Sequence, residues 1–129
     1  MKKIISSISL LAAGLFLVFS ISSFVGEGPK YLWKTTKHDF GKISKDKPVS
    51  VEFKFSNSGD APLIIKDAKS GCGCTVTDFN KNAVAPNESG YVKLTFNAQK
   101  VGEFTKTVEV ISNVNGGPEH ITISGEVVK

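Results

Sequence analysis

The sequence predicts an all-β protein, a seven-stranded antiparallel sandwich behind an N-terminal signal segment. Three observations lead there. Beyond residue 30 the chain alternates polar and apolar residues with a period of two, clusters of Asn, Gly and Pro separate the alternating runs, and no amphipathic helical run interrupts them. Strands of that length, divided by turn signals about every 8–12 residues, are the pattern of a two-sheet sandwich.

The elements follow in order. Lys2 and Lys3 precede an apolar run from Ile4 to Val25, relieved only by serines and Gly14, with Ser20, Ser22 and Ser23 near its end. Basic start, apolar middle and small-residue exit make a secretory signal over residues 1–22, with cleavage expected after Ser22 or Ser23. An uncleaved anchor over residues 4–25 is the competing reading, since a bilayer is spanned by about 20 apolar residues. No cysteine ends the run, which excludes a lipid-modified N-terminal cysteine. Residues 23–30 form a short spacer containing Gly26-Glu27-Gly28-Pro29, and residues 31–129 form the domain.

Four strands are strongly patterned. Val49 to Ser56 alternates strictly, with Val49, Val51, Phe53 and Phe55 on one face; Tyr91 to Asn97 places Val92, Leu94 and Phe96 together. A third runs through Phe104, Val108 and Val110, where Lys106 breaks the apolar row close to the strand start. The fourth carries Ile121 and Ile123 and continues past Gly125 to Val127. Weaker runs at Tyr31–Thr36, Leu63–Ala68 and Ala83–Ala85 bring the count to seven. The expected core is Val49, Val51, Phe53, Phe55, Val92, Leu94, Phe96, Val108, Val110, Ile121 and Ile123.

Charge narrows the function. The chain has 16 basic and 12 acidic residues, and loss of Lys2 and Lys3 with the signal would lower the net charge from +4 to +2. Every basic residue is Lys, so the bidentate guanidinium fork used on phosphate and guanine is missing and nucleic acid is not an expected partner. No HExxH, paired-carboxylate, nucleophile-elbow or phosphate-cradling motif occurs, so no catalytic residue, cofactor or metal is assigned.

An ordered set of short motifs does carry a resemblance. Phe40-Gly41-Lys42-Ile43, Phe53-Lys54-Phe55-Ser56-Asn57-Ser58-Gly59, Pro62-Leu63-Ile64-Ile65, Cys72-Gly73-Cys74-Thr75, Ala85-Pro86-Asn87, Phe96-Asn97 and Gly125 together resemble the domain family DUF1573 over roughly residues 38–128. Where the family usually has glycine after Pro86, this chain has Asn87, which also suits a turn at positive φ. The resemblance implies an immunoglobulin-like sandwich similar to the major-sperm-protein and PapD-like type, in an exported bacterial protein of the kind widespread in the Bacteroidetes. It implies no activity, and it transfers no catalytic residue.

Chemistry, if there is any, centres on Cys72 and Cys74, the only cysteines. Residues i and i+2 of a strand share a face with Cα atoms just under about 7 Å apart, the far edge of disulfide geometry; Gly71 and Gly73 let the chain curl and close that distance. A three-residue loop gains about 1.6 kcal/mol at most from cross-linking, so such a bond shapes a loop more than it stabilises a fold. Three readings stand: a local disulfide, a pair for thiol–disulfide exchange, and half of a metal site that only His38 and His120 could complete with nitrogen. Both histidines read more simply as solvated strand-end residues. Gly71, Gly73, Thr75 and Phe79 are expected to form a contact loop beside the cysteines. The function expected is therefore a non-enzymatic, periplasmic or extracellular module that binds an envelope protein or surface polymer, touching the membrane only through an uncleaved N-terminus; the alternative is a thiol-redox or metal-binding protein using Cys72 and Cys74.

Overall fold

The computed structural model describes residues 27–129; the expected signal at residues 1–22 and the first part of the spacer lie outside them. Eight strands run in chain order: β1 (Tyr31–Trp33), β2 (Lys37–Ser44), β3 (Val49–Asn57), β4 (Ile65–Ser70), β5 (Thr75–Phe79), β6 (Ser89–Phe96), β7 (Gly102–Ser112) and β8 (Glu119–Val128). They form two four-stranded sheets, β1-β3-β6-β5 and β2-β8-β7-β4. Both sheets turn an apolar face inward, as alternation requires.

The expectation of seven antiparallel strands needs correction in three places. Lys37–Ser44 is a strand, and it pairs with β8 in parallel, Lys37 beside Thr122 and Ser44 beside Val128. Thr75–Phe79, expected as loop, is the edge strand β5, paired to β6 without a break from Thr75↔Phe96 to Phe79↔Val92. Ala83–Ala85, expected as a strand, contributes only the single bridge Leu63↔Val84, because Pro86 and the turn after it end the pairing at once.

The core lies between the sheets. Phe53, Val92, Leu94, Val108, Val110, Ile121 and Ile123 are fully enclosed, and Phe55 and Phe96 nearly so. Val49 and Val51 are only partly buried, because they lie toward the open end of β3. Leu63, Ile65, Ala68, Val84, Ala98 and Val127 complete the core from loops and strand ends that alternation alone does not assign.

Two glycines are required by close approach. A Cβ on Gly59 would run into the Gly28 carbonyl oxygen, and one on Gly125 would stand 2.8 Å from the Gly41 carbonyl oxygen and 2.9 Å from the Phe104 ring. Asn87 takes φ 70°, the left-handed conformation anticipated for the turn after Pro86.

One end of the sandwich is closed by aromatics. Tyr31 stacks on Trp33 at 4.9 Å between centroids, and both rings pack on Phe55. The Trp33 indole N–H donates to Glu119 Oε1 at 2.9 Å, tying β1 of one sheet to β8 of the other. Trp33 is thus a structural post at this end of the sandwich.

Candidate functional site

The chain leaves one sheet and enters the other through the cysteine turn. β4 ends at Ser70 on the edge of its sheet, residues 71–74 turn, and β5 begins at Thr75 on the edge of the facing sheet. The Cys72 and Cys74 sulfurs stand at disulfide distance and their Cα atoms are 5.3 Å apart, well inside the range a disulfide accepts. The turn is held from within. Ser70 Oγ donates to the Cys72 carbonyl at 2.8 Å and lies 3.1 Å from that of Thr75, while Asn97 N–H donates to the Cys74 carbonyl at 3.0 Å.

The four residues expected in the contact loop divide. Gly71 and Gly73 are exposed, but Thr75 is buried and Phe79 is half-buried against the core, with Lys81 Nζ 3.9 Å from its ring centre. The cause is β5 itself: pairing with β6 turns Thr75, Thr77 and Phe79 inward and sends Val76 and Asp78 out. The outward apolar residue beside the cysteines is thus Val76, 66% exposed, and not Phe79. Two threonines on the inward row hid this strand from a search for apolar alternation.

The main chain of β5 faces two ways. Asn97 N–H donates to the Cys74 carbonyl and Asn80 N–H to that of Tyr91, so the even-numbered residues from 74 to 80 turn their amide and carbonyl groups toward β6. Those of Thr75, Thr77 and Phe79 point away from the sheet. One of these groups is occupied, the Thr75 carbonyl by Ser70 Oγ. The Thr77 hydroxyl donates across to the Ala68 carbonyl at 2.9 Å, pinning β5 to β4 without using its own backbone.

The other three edge strands are less open. β2 changes register between Asp39 and Lys42, and β4 changes register between Ile65 and Asp67. Such bulges twist an edge away from partners. β1 has only three residues, although Leu32 on it is 60% exposed.

The histidines stay apart from the cysteine turn's chemistry. His38 sits on β2 with its ring edge-on to Phe40, and His120 opens β8 opposite Glu109, with Nε2 3.8 Å from Oε2. No group of three or more His, Cys, Asp or Glu side chains converges on a common point among the described residues.

Known structures resemble the sandwich. A protein of unknown function from Porphyromonas gingivalis W83 superposes with a TM-score of 0.68 at 11% identity, over 83% of this chain and 51% of that one. The PapD-like domain 7 of human CEP192 gives 0.67 at 10% identity, covering 96% of this chain and 97% of the domain. The VesB protease of Vibrio cholerae gives 0.60 at 17% identity, over 77% of this chain and 32% of that one. This chain thus spans about half of the Porphyromonas protein and a third of the protease. At these identities the likeness is one of fold. No curated protein matches the sequence. The sequence profile of one family does match, over residues 31–127, which takes in the cysteine turn, the open edge of β5 and both sheets: the chain belongs to DUF1573, a family of proteins of unknown function.

Proposed function

We propose that this chain is an exported, non-enzymatic binding module of the bacterial cell envelope that accepts an extended segment of a partner protein along β5. The observation that carries the reading is the edge of that strand. β5 keeps an unbroken register, turns the main-chain groups of Thr77 and Phe79 away from its sheet, and exposes Val76 beside them. An added strand gains affinity from main-chain hydrogen bonds and specificity from side chains at alternate positions, and it needs no catalytic group. Export is supported by Lys2-Lys3 and the serine-interrupted apolar run to Val25. A non-enzymatic role is supported by the lack of any acid–base or phosphate-binding motif in the sequence.

The test is photo-crosslinking in the native host from position 76. The expected result is one discrete adduct with an envelope protein, lost in Thr77→Pro. Proline is tolerated on an edge strand where the N–H faces outward, so circular dichroism should show that variant folded. A carbohydrate adduct would point to a surface polymer instead. The half-buried pair Cys72 and Cys74, set at disulfide distance about the exposed Gly73, leaves a second reading, thiol exchange. Disulfide reductase or isomerase activity that vanishes in the Cys72→Ser, Cys74→Ser double variant, with the fold intact, would replace the binding reading with that one.

A further inference from the structure

β7 is an interior strand, and its inward row reads Phe104, Lys106, Val108, Val110. Val108 and Val110 are fully enclosed, and Lys106 lies opposite Ile123, which is also enclosed. A lysine in a core row is costly unless its ammonium reaches water or a counter-charge. β4 pairs with β7 only between Val108 and Ser112, so at Lys106 the strand is bordered by β8 alone and the inward charge also guards an open edge. Lys106 joins no ion pair among the described residues.

It points into a cleft instead. At the end of the sandwich nearest the cysteine turn the sheets part around a space of about 300 Å³, walled by Cys74, Phe96, Asn97, Lys100, Phe104 and Lys106. Phe96 and Phe104 come from opposite sheets and stack at 4.0 Å between centroids, 18° from parallel; Phe96 is nearly enclosed, so the half-buried Phe104 supplies most of the apolar wall. Lys100 and Lys106 are among the lining residues, with Glu103 the one acidic residue. The volume is at the small end of the range for small-molecule sites, about 300–1,000 Å³.

From the stacked rings, the inward lysine and the excess of lysine over acidic residues in its walls, we infer that this cleft binds a compact apolar monocarboxylate, its body against Phe104 at the edge of the stacked pair and its carboxylate on Lys106. Cys74 borders the site, so the cysteine turn helps to hold its shape. The inference is independent of the β5 edge: the cleft opens between the sheets, and Val76 faces outward.

The test is a titration of the full-length protein with 3-phenylpropionate, read by calorimetry and by amide chemical shifts. Saturable binding is expected, with shifts confined to residues 96–106 and Cys74. The neutral analogue 3-phenylpropanol should bind at least tenfold more weakly, and Lys106→Met should weaken the acid at least tenfold while Lys106→Arg keeps it within about threefold. Equal affinity for acid and alcohol, undiminished binding in Lys106→Met, or shifts centred elsewhere would overturn the inference. A peptide ending in phenylalanine that binds more tightly than the free acid would overturn the assignment to a small molecule. The alcohol comparison uses the unaltered protein, so the outcome does not depend on how well the variants fold.

Discussion

Asn57 is shut off from solvent and yet uses all of its side-chain hydrogen-bonding capacity. Its Oδ1 accepts from the N–H groups of Lys30 at 3.2 Å and Gly59 at 2.9 Å, and its Nδ2 donates to the carbonyls of Ala61 at 2.7 Å and Val84 at 2.9 Å. One side chain therefore fastens the entry to β1, the turn after β3 and the turn before β6. Asn57→Ala would leave two N–H groups and two carbonyls without those partners, and a loss on the order of 3 kcal/mol in urea denaturation is expected. Asn57→Asp should cost at least as much, because it sets carboxylate oxygen against carbonyl oxygen. Tyr31 is the opposite case. Its hydroxyl is buried without a hydrogen-bond partner, the Ser112 side chain lying near but outside bonding geometry. Tyr31→Phe should therefore raise stability by about 1 kcal/mol. Burial holds the Tyr31 phenol above its ordinary value of 10.0, with the Glu119 charge adding to the effect and Ser112 opposing it. Below pH 10.0 the folded and unfolded chains both keep the proton. Above it the unfolded chain ionises first, so stability falls as pH rises through that value, and the advantage of Tyr31→Phe should widen in alkaline denaturation curves.

At the scale of the strands, β7 and β8 oppose Glu103 to Glu126 directly. Like charges facing each other across a ladder are unfavourable, and Lys42 relieves only Glu126, its register partner on β2. Glu103→Lys should raise the thermal midpoint, with a gain of about 0.5 kcal/mol at low salt that shrinks as salt is added. The strands also show what was legible beforehand. β3, β6 and β8 show in the sequence as alternation and β7 as alternation broken at Lys106, and their inward residues form most of the core. β2 escaped for a physical reason. Phe40 and Ile43 both pack on the core although they are three residues apart, because the register shifts at a bulge containing Gly41 at φ 71°. A search for period two sees that strand as noise. β5 escaped because Thr75 and Thr77 occupy its inward row. At the candidate site, the closeness of the two cysteines was legible from their spacing and flanking glycines. The outward direction of Val76 was not, since it depends on β5 being a strand. Lys106 was visible as an exception to the pattern, but the cleft it enters needs the loop at residues 97–101 to be placed in space.

For the whole molecule, the parallel pairing of β2 with β8 sets how the sandwich carries load. β2 lies beside β8 from Lys37↔Thr122 to Ser44↔Val128, and β8 ends at the far end of that pairing. A force applied at Tyr31 draws β2 backward along its own axis, once the three-residue β1 has peeled away, while a force at Val128 draws β8 forward. The hydrogen bonds between the two strands are then loaded in shear and must fail together. Pulling Gly102 against Val128 is different, because Gly102 pairs with Val127 at the open end of the β7–β8 hairpin, and that ladder unzips one pair at a time. Single-molecule extension should therefore require clearly more force between residues 31 and 128 than between 102 and 128, and equal forces would refute the shear geometry. A domain tethered through one end and gripped at the other would behave as a mechanical clamp, its tensile strength set by which two strands lie side by side more than by its equilibrium stability.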